Sequence, residues 1–378
     1  MPTRSAPSSS GREEGRATKK VKRSNSTSGS GSTGGVPPLG KFLASSEKPI
    51  RDKAVASLTK FLSAGKLPLK NEDEKEELLG GDLDWDKEWK PDSRLDELEM
   101  AKLWKGIYYC FWMSDKPLVQ QALAQTLADL TLIVRPKSTK PEKNGRVERV
   151  KSTMAFLKGF WVTVCREWVG LDRLRIDKFY LLIRRFIEVG FKVLEREDWD
   201  PKAIELYNEV LTSPGGPLHV ESAKTPHSLT FHLSDIFLDE LERVSTSVSS
   251  PTVPLVALLQ PYMRTLTVAP SSPIFARLIE KLFKPLLIAF FPPSTKPQPR
   301  RRKKDGPPPP RPEYPQILEH CLEAQGEGEA EGEGQTRGEV VAKKVLKSLF
   351  EVGGRPEVDE HNRRKIYQFV AESEVDLD

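Results

Sequence analysis

The chain has 378 residues, 37% hydrophobic and 30% charged, with 31 Pro, 25 Gly and a formal net charge of +5. The Pro and Gly are bunched, which marks tails and inserts around one folded body. Three Cys (Cys110, Cys165 and Cys321) make no disulfide framework and suit a reducing compartment; the most apolar run, KPLLIAFF, is too short to span a bilayer.

The charge is strongly patterned. Residues 1–23 carry seven Lys or Arg against Glu13 and Glu14, residues 71–99 have a net of −9, and residues 100–196 a net of +10. A basic body beside an acidic strap fits a polyanion binder in which the strap screens or competes. Solvated faces of amphipathic helices produce the same tally, so charge alone leaves both readings open.

Residues 1–38 are rich in Ser, Gly and Thr, with too little apolar content to fold. No apolar h-region opens the chain, so no secretory signal is expected there. SGSGSTGG lacks the Gly-Lys-Ser/Thr ending of a phosphate loop. KKVKR (Lys19, Lys20, Lys22, Arg23) and RRRKK (Arg300, Arg301, Arg302, Lys303, Lys304) are compact basic clusters on unstructured segments, the form that nuclear import receptors read.

From residue 39 the apolar period is helical, and a helical repeat domain is expected over 39–291. KPIRDKAVASLTKFLSAG puts Pro49 in a first turn, lines up Ile50, Ala54, Val55, Leu58, Phe61 and Leu62, and stops at Gly65. An acidic insert follows at about 66–94. Residues 96–113 align Met100, Trp104, Ile107, Tyr108 and Phe111; Ser114 or Asp115 is then expected to cap a helix with Pro117 in its first turn. Further helices are expected at 152–168, 174–196, 201–211, 228–244, 253–263 and 272–291. TLTVAP is a short run that helix and strand share. Residues 292–335, Pro-rich, basic and then acidic, read as an unstructured linker, and 336–372 as a C-terminal helical pair. The fold class expected is all-α: a HEAT-like α-solenoid of antiparallel pairs, with a compact bundle as the alternative.

LWKGIYYCFWMSDKPLVQ packs Trp104, Tyr108, Tyr109, Phe111 and Trp112 into nine positions. Trp104, Tyr108 and Phe111 share a face with Met100 and Ile107, which makes them core rather than a base-stacking platform. Tyr109 lies off that face. Gly106 on the far side points to a close helix approach. The candidate contact residues for RNA or a partner are Lys105, Tyr109, Lys116, Arg166, Arg173, Arg175, Lys178, Arg184 and Arg185. Asp172, Asp177 and Glu167 are near enough in sequence to claim some of these cations as local ion pairs.

Little supports an enzyme. His219, His227 and His232 have no companion Cys or acidic pair at metal-ligand spacing, and His320 and Cys321 are sequence neighbours that cannot face each other as base and nucleophile. No Walker motif, nucleophile elbow or dinucleotide fingerprint is present. No cofactor, metal, membrane or small-molecule substrate is expected.

LWKGIYYCFWMSDKPLVQ and FWVTVCREWVGLDRLRIDKFYLLIRR resemble the two signature blocks of the eukaryotic ribosomal RNA processing protein 1 family. RDKAVASLTKFL resembles the helix that opens its domain, and VAKKVLKSLFE with NRRKIYQFV its C-terminal pair. The resemblance spans about 40–371, interrupted by the acidic insert and by 292–335. It implies a nucleolar, non-catalytic, solenoid-like assembly factor of the large ribosomal subunit. Its implied partners are pre-60S assembly factors, including a Brix-domain protein, and precursor rRNA. Long basic tails found in some members are not in this sequence, so their contacts are not carried over. The alternative is a nuclear helical-repeat adaptor that binds only proteins, such as chromatin or transport factors.

Overall fold

A computed structural model describes residues 39–63, 97–136, 145–247, 253–290, 313–324 and 336–375. The N-terminal tail, the acidic insert and both basic clusters lie outside the described residues. The helices are α1 (Leu39–Leu43), α2 (Lys48–Ser63), α3 (Glu97–Trp112), α4 (Pro117–Ile133), α5 (Gly145–Glu167), α6 (Ile176–Arg196) and α7 (Pro201–Thr212). Then come α8 (His227–Ser245), α9 (Leu255–Thr267), α10 (Ser272–Leu278), α11 (Lys284–Phe290), α12 (Pro315–His320), α13 (Arg337–Gly353) and α14 (Glu360–Val375). No strand forms among the described residues; TLTVAP closes α9, and Val253 and Cys321 make a lone bridge.

From α3 to α10 each helix packs on the one two places before it. The odd row runs α1, α3, α5, α7, α9 and then α13; the even row runs α2, α4, α6, α8 and α10. Two parallel rows with short corners between them are the cross-section of an α-solenoid, not of a bundle around one axis. The rows face each other across a continuous aromatic and aliphatic core. Trp104, Phe111, Phe156, Phe160, Phe179, Phe186, Phe191 and Phe237 are almost wholly buried in it.

Backbone proximity is built with glycine where helices cross closely. A Cβ on Gly106 would stand 2.8 Å from the Gly40 Cα and 2.9 Å from its carbonyl oxygen, so α1 rests directly on the α3 backbone. Proline inside a helix is handled just as specifically. Pro261 cannot donate to the Ala257 carbonyl one turn back, and the Asn208 amide of α7 takes that acceptor at 2.9 Å. Between α10 and α11 the backbone widens into a π turn, Ile279–Phe283, just before Pro285.

Three expectations need correction. Helix α5 begins at Gly145 rather than 152, because Val147 and Val150 extend its buried face and Arg146 and Arg149 bind Glu197. The N-cap of α4 is Lys116, with no side-chain cap; the Ser114 hydroxyl instead donates back to the Phe111 carbonyl at 2.7 Å. Within the expected linker, 313–324 is a built element. The Glu242 carboxylate of α8 accepts the Gln316 and Ile317 amides that open α12, and Glu323 accepts the Leu255 and Val256 amides that open α9. These reciprocal caps satisfy donors that a helix start leaves orphaned, and composition cannot reveal them.

The turn from α6 to α7 is the most strained among the described residues. Asp198 and Trp199 both have φ of 53°, costly for residues with a Cβ. Glu197 anchors the turn: its buried carboxylate accepts from Arg149 at 2.7 Å and Arg196 at 2.8 Å, and pairs with Arg146 at 3.3 Å. Burial pushes this carboxyl up, but Arg149 and Arg196 outweigh it and hold the group below its ordinary value.

Gly106→Ala is expected to destabilise the chain by about 1–3 kcal/mol, because overpacking exceeds the roughly 1 kcal/mol propensity gain. Gly170→Ala, where a Cβ meets nothing, is the control; thermal melts of both separate packing from propensity. Glu197→Gln leaves three guanidinium groups without their anion and is expected to cost about 3–5 kcal/mol in urea unfolding. A lowered carboxylate pKa contributes stability above its unfolded value and loses it as pH falls through the folded one. The parent should therefore lose stability more steeply than the variant below about pH 4.

Candidate interaction surface

The corners that join odd to even helices lie along one edge of the solenoid, and the second and third carry the sequence-predicted residues. The α3–α4 corner is Met113–Lys116, and the α5–α6 corner runs from the 3-10 turn Trp168–Gly170 to Arg175. They are tied together. The Lys178 ammonium donates to the Trp112 carbonyl at 2.7 Å and the Ser114 carbonyl at 2.6 Å. The Arg175 guanidinium stacks on the Trp112 ring at 3.8 Å while pairing with Asp172. Tyr108 packs its ring on Phe179 at 4.8 Å. Trp168, buried, donates its indole N–H to Ser228 of α8 at 2.9 Å and so links this corner to the next repeat.

The structure therefore sorts the candidate cations. Lys178 is buried and bound to two main-chain carbonyls; burial pulls its ammonium down to about 8, against the raising influence of Asp115. Arg175 is clamped between Trp112 and Asp172. Arg184 pairs with Glu240 at 2.6 Å, and Arg185 with Glu188 at 2.8 Å, in a network that Arg243 and Lys192 complete between α6 and α8. Arg166 pairs with its neighbour Glu167 at 2.9 Å. Lys178, Arg175, Arg184 and Arg185 are thus engaged within the fold, by the Trp112 and Ser114 carbonyls, Asp172, Glu240 and Glu188 respectively.

Lys105, Lys116 and Arg173 are exposed and have no ion-pair partner among the described residues. Tyr109 is half-buried, edge-on to Tyr108 at 5.5 Å and to Trp112 at 6.4 Å, so only part of its ring reaches the surface. Lys105 lies on the odd row with exposed Lys102, apart from the corner that holds Lys116 and Arg173. Three apolar side chains at these corners, Leu118, Val169 and Leu174, are exposed, which neither composition nor charge pattern marks. The available signal was the break in helical period at Val169–Arg175, where apolar residues have no helix face to join.

Chemistry has few footholds here. Burial pushes the Cys110 thiol up to about 11, with Arg51 partly opposing it, and the Cys165 thiol up to about 12, so neither is a thiolate at neutral pH. His232 is half-buried with a ring nitrogen 3.2 Å from the Tyr180 carbonyl. Among the described residues no group of His, Cys, Asp and Glu is arranged to hold a metal ion, and no helix is long and apolar enough to cross a membrane.

Residues 35–370 match the family described as "Nucleolar protein, Nop52". The chain is 36% identical over 202 residues to Ribosomal RNA processing protein 1 homolog B of Homo sapiens, covering 53% of this chain and 22% of that protein. It is 30% identical over 255 residues to Ribosomal RNA processing protein 1 homolog A of Mus musculus, covering 67% and 44%. The human homolog A is 33% identical over 212 residues, covering 55% and 38%. The chain thus spans less than half the length of each of these relatives.

Lys178→Ala strips the Trp112 carbonyl of its side-chain donor, leaves the Ser114 carbonyl only the Gln120 amide, and is expected to cost about 1–3 kcal/mol. Arg173→Glu and Lys116→Glu, at exposed sites, are expected to stay within about 0.5 kcal/mol of the parent. Equilibrium urea unfolding of the three variants checks this division between structural and free cations.

Proposed function

Because the chain belongs to the Nop52 family of nucleolar proteins, we propose that it is a non-catalytic assembly factor of the large ribosomal subunit. The family is nucleolar and the relatives are named for ribosomal RNA processing, so the chain works in the nucleolus, in ribosome biogenesis. Within that setting it acts as a helical scaffold in precursor particles, holding other assembly factors and precursor rRNA against one another. KKVKR and RRRKK act as its nuclear addresses.

One observation carries the scaffold reading. The two signature corners are pinned from within by Lys178, Arg175 and Trp168, yet leave Lys116 and Arg173 free on the same edge. An edge pre-organised in this way loses little entropy when a partner binds. The buried high-pKa thiols support the non-catalytic part. Depletion of the protein is expected to reduce mature large-subunit rRNA and leave small-subunit rRNA comparatively intact. Northern analysis of precursors checks this, and an unchanged large-subunit precursor profile would refute the proposal. Crosslinking to RNA in cells separates a scaffold that touches precursor rRNA from an adaptor that binds proteins alone, which recovers no rRNA fragments.

A further inference from the structure

Resting on the assembly-factor reading, we propose that the outer face of α4 and the α5–α6 corner form a docking site for an amphipathic α-helix of a partner protein. The first observation is apolar exposure at the corners. Leu118 is 80% exposed, Val169 86% and Leu174 92%. These side chains are not on slack backbone. The Asp172 carboxylate accepts the Leu174 and Arg175 amides at 3.0 and 3.1 Å, the Leu171 amide donates to the Trp168 carbonyl at 3.1 Å, and Arg175 is stacked on Trp112. These bonds fix the loop backbone while its aliphatic side chains stay exposed. Fixed apolar groups in water are an association surface in waiting.

The second observation is the scarcity of charge on α4. In a chain with 30% charged residues, its seventeen residues PLVQQALAQTLADLTLI include one charge, Asp129. That carboxylate already accepts the Gln125 amide at 2.9 Å. The exposed positions Gln121, Ala122 and Thr126 are uncharged, and two are small enough for a second helix to approach closely. The neighbouring helices differ: α2 exposes Asp52, Lys53 and Lys60, and α6 carries the Arg184–Arg185–Lys192 ion-pair ladder. Depletion of charge is what distinguishes the middle of an interface from the rest of a surface.

Charge at the rim selects the occupant. Asp172 holds Arg175 and Glu167 holds Arg166, which leaves Lys116 and Arg173 exposed beside Asp115 and Asp177. The partner helix therefore carries an apolar stripe at i, i+3, i+4 and i+7 for Leu118, Ala122 and Leu174, and an acidic residue at the end that meets Lys116 and Arg173. Nucleic acid fits this face poorly. Its bases have no exposed aromatic plane to stack on along α4, and its phosphates gain nothing from Leu, Val or an uncharged helix.

The test uses the full chain in cells, with a benzophenone amino acid substituted for Leu174. Large-subunit precursor particles are isolated by sedimentation, irradiated and digested, and the adducts are identified. The expected result is adducts concentrated on one amphipathic helical segment of a protein. A synthetic peptide of that segment, titrated onto the unsubstituted full chain by fluorescence anisotropy, should bind about tenfold more weakly to Leu118→Ser or Leu174→Ser variants. Binding to Arg173→Glu should also weaken, with a smaller dependence on salt. All three variants should melt with the parent, because the altered side chains are exposed. Adducts on rRNA, adducts scattered over unrelated peptides, or no adduct from a chain that still sediments with the particles would overturn the docking site and leave the assembly reading standing. Failure of the parent chain to sediment with large-subunit precursors would overturn both.

Discussion

Trp104 is the wedge on which the rest of the solenoid depends. It projects from α3 between Phe156 and Phe160 of α5, at 4.5 and 5.6 Å, and reaches Phe186 of α6 at 5.7 Å. One side chain thus touches its own row and the facing row at once. Phe160 and Phe186 stack across the rows with centroids 3.6 Å apart, so the three rings form a single block. Gly159 makes room: any Cβ there would run into the Trp104 indole. Bulk on α3 and its absence on α5 are a matched pair, and each buried ring removes on the order of 150–250 Å² from water.

A block of this rigidity determines how the charges are used. Once α3, α5 and α6 are locked, the α5–α6 corner has nowhere to move, and Lys178 and Arg175 fall onto the carbonyls and ring of the α3–α4 corner. The same logic continues along the even row, where Glu188 and Glu240 are buried against α6 and α8 and require Arg184, Arg185 and Arg243. Some basic residues that look like a binding face in sequence are here the counter-ions of buried carboxylates, as Arg184 and Arg185 are, or donors to main-chain carbonyls, as Lys178 is. What remains free is smaller and better defined: a few cations and three aliphatic side chains at the edge.

The far end is closed by segments distant in sequence. Helix α13 packs on α9 and α11, with Gly338 against the Phe290 backbone, and the Asn362 amide of α14 donates to the Thr267 and Ala269 carbonyls at the end of α9. Helix α12 and its following turn sit on α8 and α9 through the Glu242 and Glu323 caps. The odd row therefore ends on chain that arrives after a long excursion, and a row end that would otherwise expose apolar surface is covered.

The sequence by itself determined the helices and the membership of their buried faces. An apolar stripe at helical period has one stable use, and Trp104, Ile107, Tyr108 and Phe111 are buried where that stripe requires. Gly106 signalled a close approach for the same local reason: a missing Cβ matters only where another backbone arrives, here that of Gly40. The family, too, was legible in the two long blocks around Trp104 and Trp168. Tertiary structure alone decided which cations are free, because an Arg is identical in sequence whether it faces water or a buried Glu fifty residues away. It also decided that 313–324 is a built element, since its stabilising partners, Glu242 and Leu255–Val256, lie some seventy residues distant. Local pattern encodes burial; pairing across rows depends on which helices stack, and that is settled only when the whole solenoid has formed.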